Sequence, residues 1–471
     1  MPGTNPDGAV LQQRGVTRVD EAQVRALIAE RGIETIKLGG PDLDGAFRGK
    51  RIPARLFLDG LAHGFAQCDV IFGWDIAEDL VPNLRFTGWE TGYQDIIGRP
   101  DLETFRVVPW EDGVASVICD YTDEHGAPTA IAPRQVLRRV LDRGADQGYR
   151  LQLAAELEFR VFRETAQSLR TKNWDNLEPL SPSNSCYSIF RATGDDFLFA
   201  RIRKMMEQHD IPIEGYNREH GPGMYEMNLV HAEGVAAADQ TMLFRTGVKE
   251  MCRQEGLTAS FMAKWSDQED GSSGHLHQSL WTADGTRNLF HDAAADHRLS
   301  DTARHYAAGV LATLPEFCAL YASNINSYKR HVIGAWAPTS VTWGVETRTT
   351  AIRMVPGGPN STRIENRVPG SDVNPYLGLA ATVAGGLYGV ERKLAIPPAA
   401  RGNAYALKAS EATPLPHTLS EAVERFAASE LARDWFGEEF VEHFTAMRRW
   451  EAQQYNRVVD RWQRERYLEM I

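Results

Sequence analysis

At 471 residues the chain is longer than one hydrophobic core usually serves, so two domains are expected, one larger than the other. Its 43% hydrophobic and 24% charged content is that of an ordinary globular protein and leaves no room for a disordered or fibrous reading. Acidic residues outnumber basic ones by 63 to 51, a net charge of −12, which argues against a nucleic-acid-wrapping or membrane-surface protein because both need excess positive charge.

The first residues, MPGTNPDGAVLQQRG, lack the apolar stretch of a signal peptide and read as a disordered start. Residues 19–31 (VDEAQVRALIAER) have helical periodicity, and IETIKLGGPDLDGAFRGKRIP reads as strand, glycine-rich turn, strand. Further strands are expected at FRVVPW and ASVICDY. The Pro-bearing segment EHGAPTAIAPRQ then leads into a helix at about 134–148, which places a boundary between residues 122 and 132 and divides the chain into domains 20–125 and 130–471. Beyond it, LQLAAELEFRVF, GMYEMNLVH, GHLHQSLW, TTAIRMV and STRIENRVP are extended segments separated by long helices. The fold class is therefore α+β, with an antiparallel sheet in the larger domain carrying helices on one face. The longest uncharged run, Asn374 to Val390, contains four glycines and is short for a membrane span, so it reads as a buried helix. Five scattered cysteines with no Cys-x-x-Cys pair indicate neither a disulfide framework nor a thiolate zinc site, and point to reduced thiols in a cytoplasm.

Chemistry concentrates where ionisable residues stand two apart on a strand and so share one face of a sheet: Glu156 and Glu158; His275 and His277; Arg363, Glu365 and Arg367. Glu219 and Glu226 flank a Gly-Pro-Gly turn less regularly. Solvated strands also alternate charge. Glu156 and Glu158, however, are interleaved with Leu153, Leu157, Phe159 and Val161, so their strand is buried and the carboxylates need partners. Glutamates and a histidine converging on one surface would repel one another unless cations lay between them, and oxygen-rich ligands with an imidazole suit magnesium or manganese better than zinc. A second set, Arg330, Arg348, Arg353, Arg363 and Arg367, falls within 38 residues of a net acidic chain, and their forked guanidiniums suit phosphate and carboxylate oxygens.

These segments resemble glutamine synthetases in order and spacing from about residue 25 to the C-terminus. AAELEFRVF resembles the family's Glu-x-Glu strand, EHGPGMYEMNL its Glu-x-x-Pro-Gly-Gln-x-Glu segment, and DGSSGHLHQSLW its His-x-His loop. NSYKRHVIGAWAP, TRTTAIRM and STRIENRVPGSDVNPY resemble its arginine-rich carboxyl half. The resemblance implies an N-terminal β-grasp domain, a catalytic domain with a six-stranded antiparallel sheet, and a homo-oligomeric double ring, a dodecamer, with active sites between subunits. It implies two or three metal ions per site, one held by Glu158, Glu219 and Glu226 and another by Glu156, His275 and Glu365. ATP would meet Glu214, His277, Ser279, Arg353 and Arg363. Glutamate would meet Asp270, Gly271, Arg330 and Arg367, and the transferred phosphate Arg348. The implied reaction makes γ-glutamyl phosphate and then a γ-glutamyl amide.

The chain departs from the family where it matters for the amine. The position that holds the ammonium-site Glu is Trp336, an aromatic surface in place of a carboxylate. The ammonium loop Asp-Gly-Ser-Ser is replaced by GWDIAED, where Asp75 is the nearest acid, and Asp270 and Met224 stand for the usual Asn and Gln. With the ending WQRERYLEMI these changes resemble the γ-glutamylamine branch (γ-glutamylputrescine, γ-glutamylpolyamine and γ-glutamylethanolamide synthetases), so an amine larger than ammonia is expected. Glutamine synthesis from ammonia, and a non-catalytic ring scaffold, are the alternatives; all six metal positions being filled speaks against the scaffold. The modified-tyrosine loop of bacterial relatives has no clear counterpart near NAYALK, so no such control is expected.

Overall fold

A computed structural model describes residues 20–471, and the expected disordered start lies outside them. The first helix, Glu21–Arg31, begins where the Asp20 side chain accepts from the Gln23 N–H and Gln23 reciprocates, and it ends at Gly32 in the left-handed conformation. It packs on a five-stranded sheet built from β1 (Thr35–Pro41), β2 (Phe47–Pro53), β3 (Phe65–Cys68), β4 (Asp95–Val107) and β5 (Val114–Thr122), in the order β2-β1-β5-β4-β3. The central pair β1 and β5 is parallel and its neighbours are antiparallel. Val24, Ile36, Leu38, Phe57, Phe105 and Val117 make a core of their own here. β5 ends at Thr122 and the next helix starts at Pro133.

The second sheet holds β6 (Tyr149–Phe162), β7 (Ile213–Arg218), β8 (Met224–Leu229), β9 (Ala232–Glu233), β10 (Thr258–Ser260), β11 (Gly274–Thr282), β12 (Trp343–Val345), β13 (Ile352–Val355) and β14 (Arg363–Asn366). The order is β12-β13-β14-β11-β6-β8-β7, with β9 and β10 also pairing with β6. Nine strands stand where six antiparallel ones were expected, and the edge pair β12/β13 is parallel. The additional strands are mostly two- and three-residue segments, too short to give a period in the sequence.

β6 organises both faces. Its odd residues Leu151, Leu153, Ala155, Leu157, Phe159 and Val161 are buried against helices Pro133–Asp146 and Val235–Gln254, which contributes roughly 1.5–3 kcal/mol per large apolar side chain. Its even residues face the other way, and that is the functional face. On the same side of the sheet, Asp301–Tyr321 and Pro375–Arg392 reach β11 and β14 through Tyr306–Gln278 and Thr382–Asn366, and they cross so closely that a Cβ on Gly309 would strike the backbone of Gly385 and Gly389. This crossing explains Gly385, Gly386 and Gly389 of the uncharged run, while Gly378 lies instead against Val373 and Leu276. Among the described residues no helix is long and apolar enough to cross a membrane.

Candidate active site

Strand register assembles the site. Across antiparallel neighbours Glu156 faces His275 on β11 and Asn228 on β8, Glu158 faces Glu226, and Glu365 faces both His277 and Arg353. Because side chains repeat every two residues, all of these point to the same side of the sheet. The turn that delivers Glu219 to the same edge needs its glycine. Gly221 has φ +143°, and a Cβ there would lie 2.7 Å from the buried guanidinium of Arg160, which donates to Pro222 O at 2.7 Å and to Asp270 O at 2.9 Å.

Two subclusters result. In one, His275 Nδ1 lies 2.8 Å from Glu156 Oε1 and 3.2 Å from Glu365 Oε1, and His277 Nε2 lies 3.5 Å from Glu156 Oε2. Ligand atoms of Glu156, His277 and Glu365 fall within 4.8 Å of one another, so His277, expected at the nucleotide, also stands at the metal group. In the other, the buried Glu158 accepts from the Ser273 N–H, while Glu219 accepts from Asn217 Nδ2 at 2.7 Å and from Cys186 Sγ at 3.6 Å. All six expected metal ligands therefore gather on one face.

The electrostatics say what that face lacks. Burial, reinforced by Glu156, Glu158 and Glu219, pushes Glu226 up to about 10. Burial also raises Glu158 to about 7, against the opposing pull of the Ser273 N–H. Burial works the same way on Glu365, but Arg367 and the two histidines outweigh it and hold the carboxyl at about 2. His275, pushed down to about 4 by burial and Arg367, is a neutral imidazole, and its buried Nε2 has no hydrogen-bond partner among the described residues. Carboxylates forced to keep protons, beside a neutral imidazole, form a donor set that fits divalent cations.

The arginines divide. Arg353 donates to Glu365 at 2.9 Å and to Glu346 at 3.0 Å; Arg363 donates to His277 Nδ1 at 3.3 Å; Arg367 bridges Glu365 and the Trp336 carbonyl. Arg330 is fully buried, lowered to about 10 by desolvation, and spends its guanidinium on Val368 O, Arg367 O and Ser273 Oγ. Its reading as a glutamate contact thus meets a residue that frames the Gly271 and Arg367 loops, with Gly271 packed on its aliphatic stem. Arg348 is exposed, and it shares electrostatic reach of the Tyr187 phenol with Glu219 and Glu226. Asp270 pairs with His220 at 2.6 Å. Asp75 caps its own loop, accepting from the Ala77 and Asp79 N–H groups. Trp336 is 58% exposed with φ +56°.

Down β6 and β11 from the carboxylates runs a cavity of about 450 Å³ lined by Glu156, Glu214, His277, Ser279 and Arg363. Four of the five expected nucleotide residues meet there. Gln152, Asn228, His231 and Trp281 line it too and were missed, although Gln152, Trp281 and Asn228 continue the same two-residue period as Glu156, Ser279 and Glu226.

Acids that repel one another without cations, beside guanidiniums suited to phosphate and a cavity of nucleotide size, define a metal-dependent enzyme of polyphosphate chemistry. Comparison with known proteins turns that class into a family: residues 130–467 match the catalytic domain of glutamine synthetase, and the chain belongs to the glutamine synthetase family of ligases. Similar proteins include glutamate–isopropylamine ligase of Pseudomonas sp, 40% identical over 95% of this chain and 98% of that one, and gamma-glutamylethanolamide synthetase of Streptomyces coelicolor, 40% identical over 95% and 96%. Type-1 glutamine synthetase 2 of Dictyostelium discoideum is 41% identical over 93% and 84%. The structure of GmaS with ADP matches 94% of this chain and 98% of that one at a TM-score of 0.82 and 28% identity. The resemblance to the γ-glutamylamine branch is thereby borne out, and the chain is a ligase of that branch.

Proposed function

We propose that this ligase joins the side-chain carboxylate of L-glutamate to a primary amine larger than ammonia, at the expense of ATP and through γ-glutamyl phosphate. The observation that carries the reading is Trp336: the sheet face keeps every acid and imidazole of the phosphoryl-transfer half, while the acceptor end presents an exposed indole where a carboxylate would hold ammonium.

The nucleotide would lie in the cavity with its phosphates toward Glu156 and Arg363, flanked by Glu214, His277, Ser279 and Arg353. Magnesium or manganese, held by Glu158, Glu219 and Glu226 and by Glu156, His275 and Glu365, would neutralise the crowded carboxylates and polarise phosphate oxygens. Arg367, beside Asp270 and Gly271, would orient glutamate, and Arg348 would meet the phosphoryl group in flight. A glutamate carboxylate oxygen attacks the γ-phosphorus and ADP leaves; the amine nitrogen then attacks the activated carbonyl carbon, phosphate leaves, and the nitrogen loses a proton. A bare carboxylate is no acceptor for an amine, so activation must come first.

Three coarser readings accompany this one. Residues 20–125 form a β-grasp domain, supported by the mixed sheet with helix Glu21–Arg31 packed on it. The chain assembles as a double-ring homo-oligomer with active sites between subunits, a reading that rests on its membership of the glutamine synthetase family, and Asp75, whose carboxylate caps its own loop, is the nearest acid to the family's ammonium loop. Five free cysteines suit a cytoplasmic enzyme.

The test is mass spectrometry of products from glutamate, ATP and magnesium or manganese with a panel of alkylamines, ethanolamine, putrescine and ammonia. A γ-glutamyl amide of at least one larger amine, formed faster than glutamine, is expected. Glutamine as the sole product would favour ammonia as acceptor, the reading that the Dictyostelium relative's name supports.

A further inference from the structure

The loop that bears Trp336 is strained. Trp336 is a non-glycine residue at φ +56°, two residues after Gly334 at φ +86°, and side chains that leave the right-handed region persist only where their surroundings hold them. Two groups hold this one, on consecutive carbonyls. Arg367 Nη2 donates to the Trp336 carbonyl at 3.4 Å, and the Tyr405 hydroxyl donates to the Ala337 carbonyl at 3.0 Å. Ala337 itself is fully buried, so without Tyr405 its carbonyl loses this donor in a place that water reaches poorly.

Tyr405 is in turn anchored from the opposite side. The Ala404 N–H donates to Thr349 Oγ1 at 2.9 Å, Thr349 Oγ1 donates to Gly402 O at 3.3 Å, and the Asn403 side chain accepts from the Tyr405 N–H at 3.0 Å. Thr349 follows Arg348 directly. The turn at 402–406 therefore ties the Arg348 loop to the Trp336 loop, with the half-buried phenol within electrostatic reach of Arg330, Arg367 and Asp270.

We infer that Tyr405 is the positioning residue of the amine-acceptor site: its hydroxyl, acting through the Ala337 carbonyl, fixes the left-handed turn that presents the Trp336 indole to the incoming amine. This rests on the reading of Trp336 as the acceptor surface. Arg367 also serves the carboxylate cluster through Glu365, whereas Tyr405 touches no residue of that cluster, so its loss separates acceptor binding from carboxylate activation.

The experiment compares wild type with Tyr405→Phe and Thr349→Val, using the best amine from the product screen. One net hydrogen bond corresponds to about three- to tenfold in an equilibrium constant. Tyr405→Phe is therefore expected to raise KM for the amine about three- to tenfold, with KM for glutamate and ATP and the thermal midpoint held near wild type. It is also expected to raise ADP released per γ-glutamyl amide formed, because activated glutamate waits longer and is hydrolysed. Thr349→Val shifts the same two quantities in the same direction and by less. An unchanged amine KM and an unchanged product ratio in Tyr405→Phe, beside a wild type that makes the amide, would overturn the inference and leave the proposed function standing. A wild type that makes no amide from any larger amine would overturn both.

Discussion

The carboxylate face and the acceptor loops lie side by side and are built by opposite means. The face is dictated by a sheet: residues two apart, on strands whose pairing leaves no freedom, put Glu156, Glu158, Glu226, His275 and Glu365 together with their surroundings buried. The exposed loops beside it are made of turns, with Tyr187, Glu346 and Trp336, the proposed acceptor surface, all non-glycine residues at positive φ. A chemistry shared across a family can be written into register, which tolerates no slippage. Choice of acceptor can be written into loops, which change without disturbing the sheet.

The comparison breaks first at the face. Glu365→Gln removes the partner of Arg353 and Arg367 and a carboxylate of the proposed cation site, and we expect activity to fall about a hundredfold or more while the amine KM changes little. Initial rates at saturating and limiting amine would separate the two.

Next comes pH. The acids of Glu158 and Glu226 are raised in the folded protein, so the native state keeps protons that the unfolded chain releases near its ordinary carboxylate range. Glu158 therefore contributes to the metal-free protein up to about 3 kcal/mol of stability that is lost as pH rises from about 4.5 to about 7, whereas His209, His275, His331 and His443, each pushed down to about 4 by burial, contribute stability that is gained as pH rises from about 4 to about 6.5. Thermal melts in chelator should show the Glu158 part as a decline of wild type relative to Glu158→Gln over that range. Excess magnesium should flatten it, because cation binding replaces the protons and tightens as pH rises.

A backbone effect follows. Gly221→Ala puts a Cβ into the Arg160 guanidinium at a φ that disfavours it, and we expect a loss of about 1–3 kcal/mol, read as a lower denaturation midpoint. The smallest change is at the acceptor. Trp336→Glu should move the ratio of ammonia to alkylamine turnover about tenfold toward ammonia, leaving KM for ATP alone. If the ratio did not move, the indole would have no part in acceptor choice.

The same contrast accounts for what could be read in advance. Alternation along LQLAAELEFRVF and GHLHQSLW gave β6, β11 and their inward glutamates and histidines, because burial and period are local properties. Which glutamate faces which histidine depends on register between strands more than 100 residues apart in sequence, and no local pattern carries it. His277 joined the metal group for that reason. Gln152 and Trp281 were within reach of the two-residue rule. Tyr187, Glu346 and Tyr405 were not, since their positions follow from turns whose dihedral angles the residue types do not set. Arg330 showed as a guanidinium in an arginine-rich run; only the fold reveals that main-chain carbonyls consume it.

The most direct measurement is anomalous diffraction from crystals grown with manganese and ADP. Peaks within about 2.0–2.4 Å of Glu158, Glu219 and Glu226, and of Glu156, His275 and Glu365, are what these side chains predict. Manganese bound elsewhere, with those six groups left uncoordinated in a protein that still turns over, would contradict the assignment of this face as the catalytic centre.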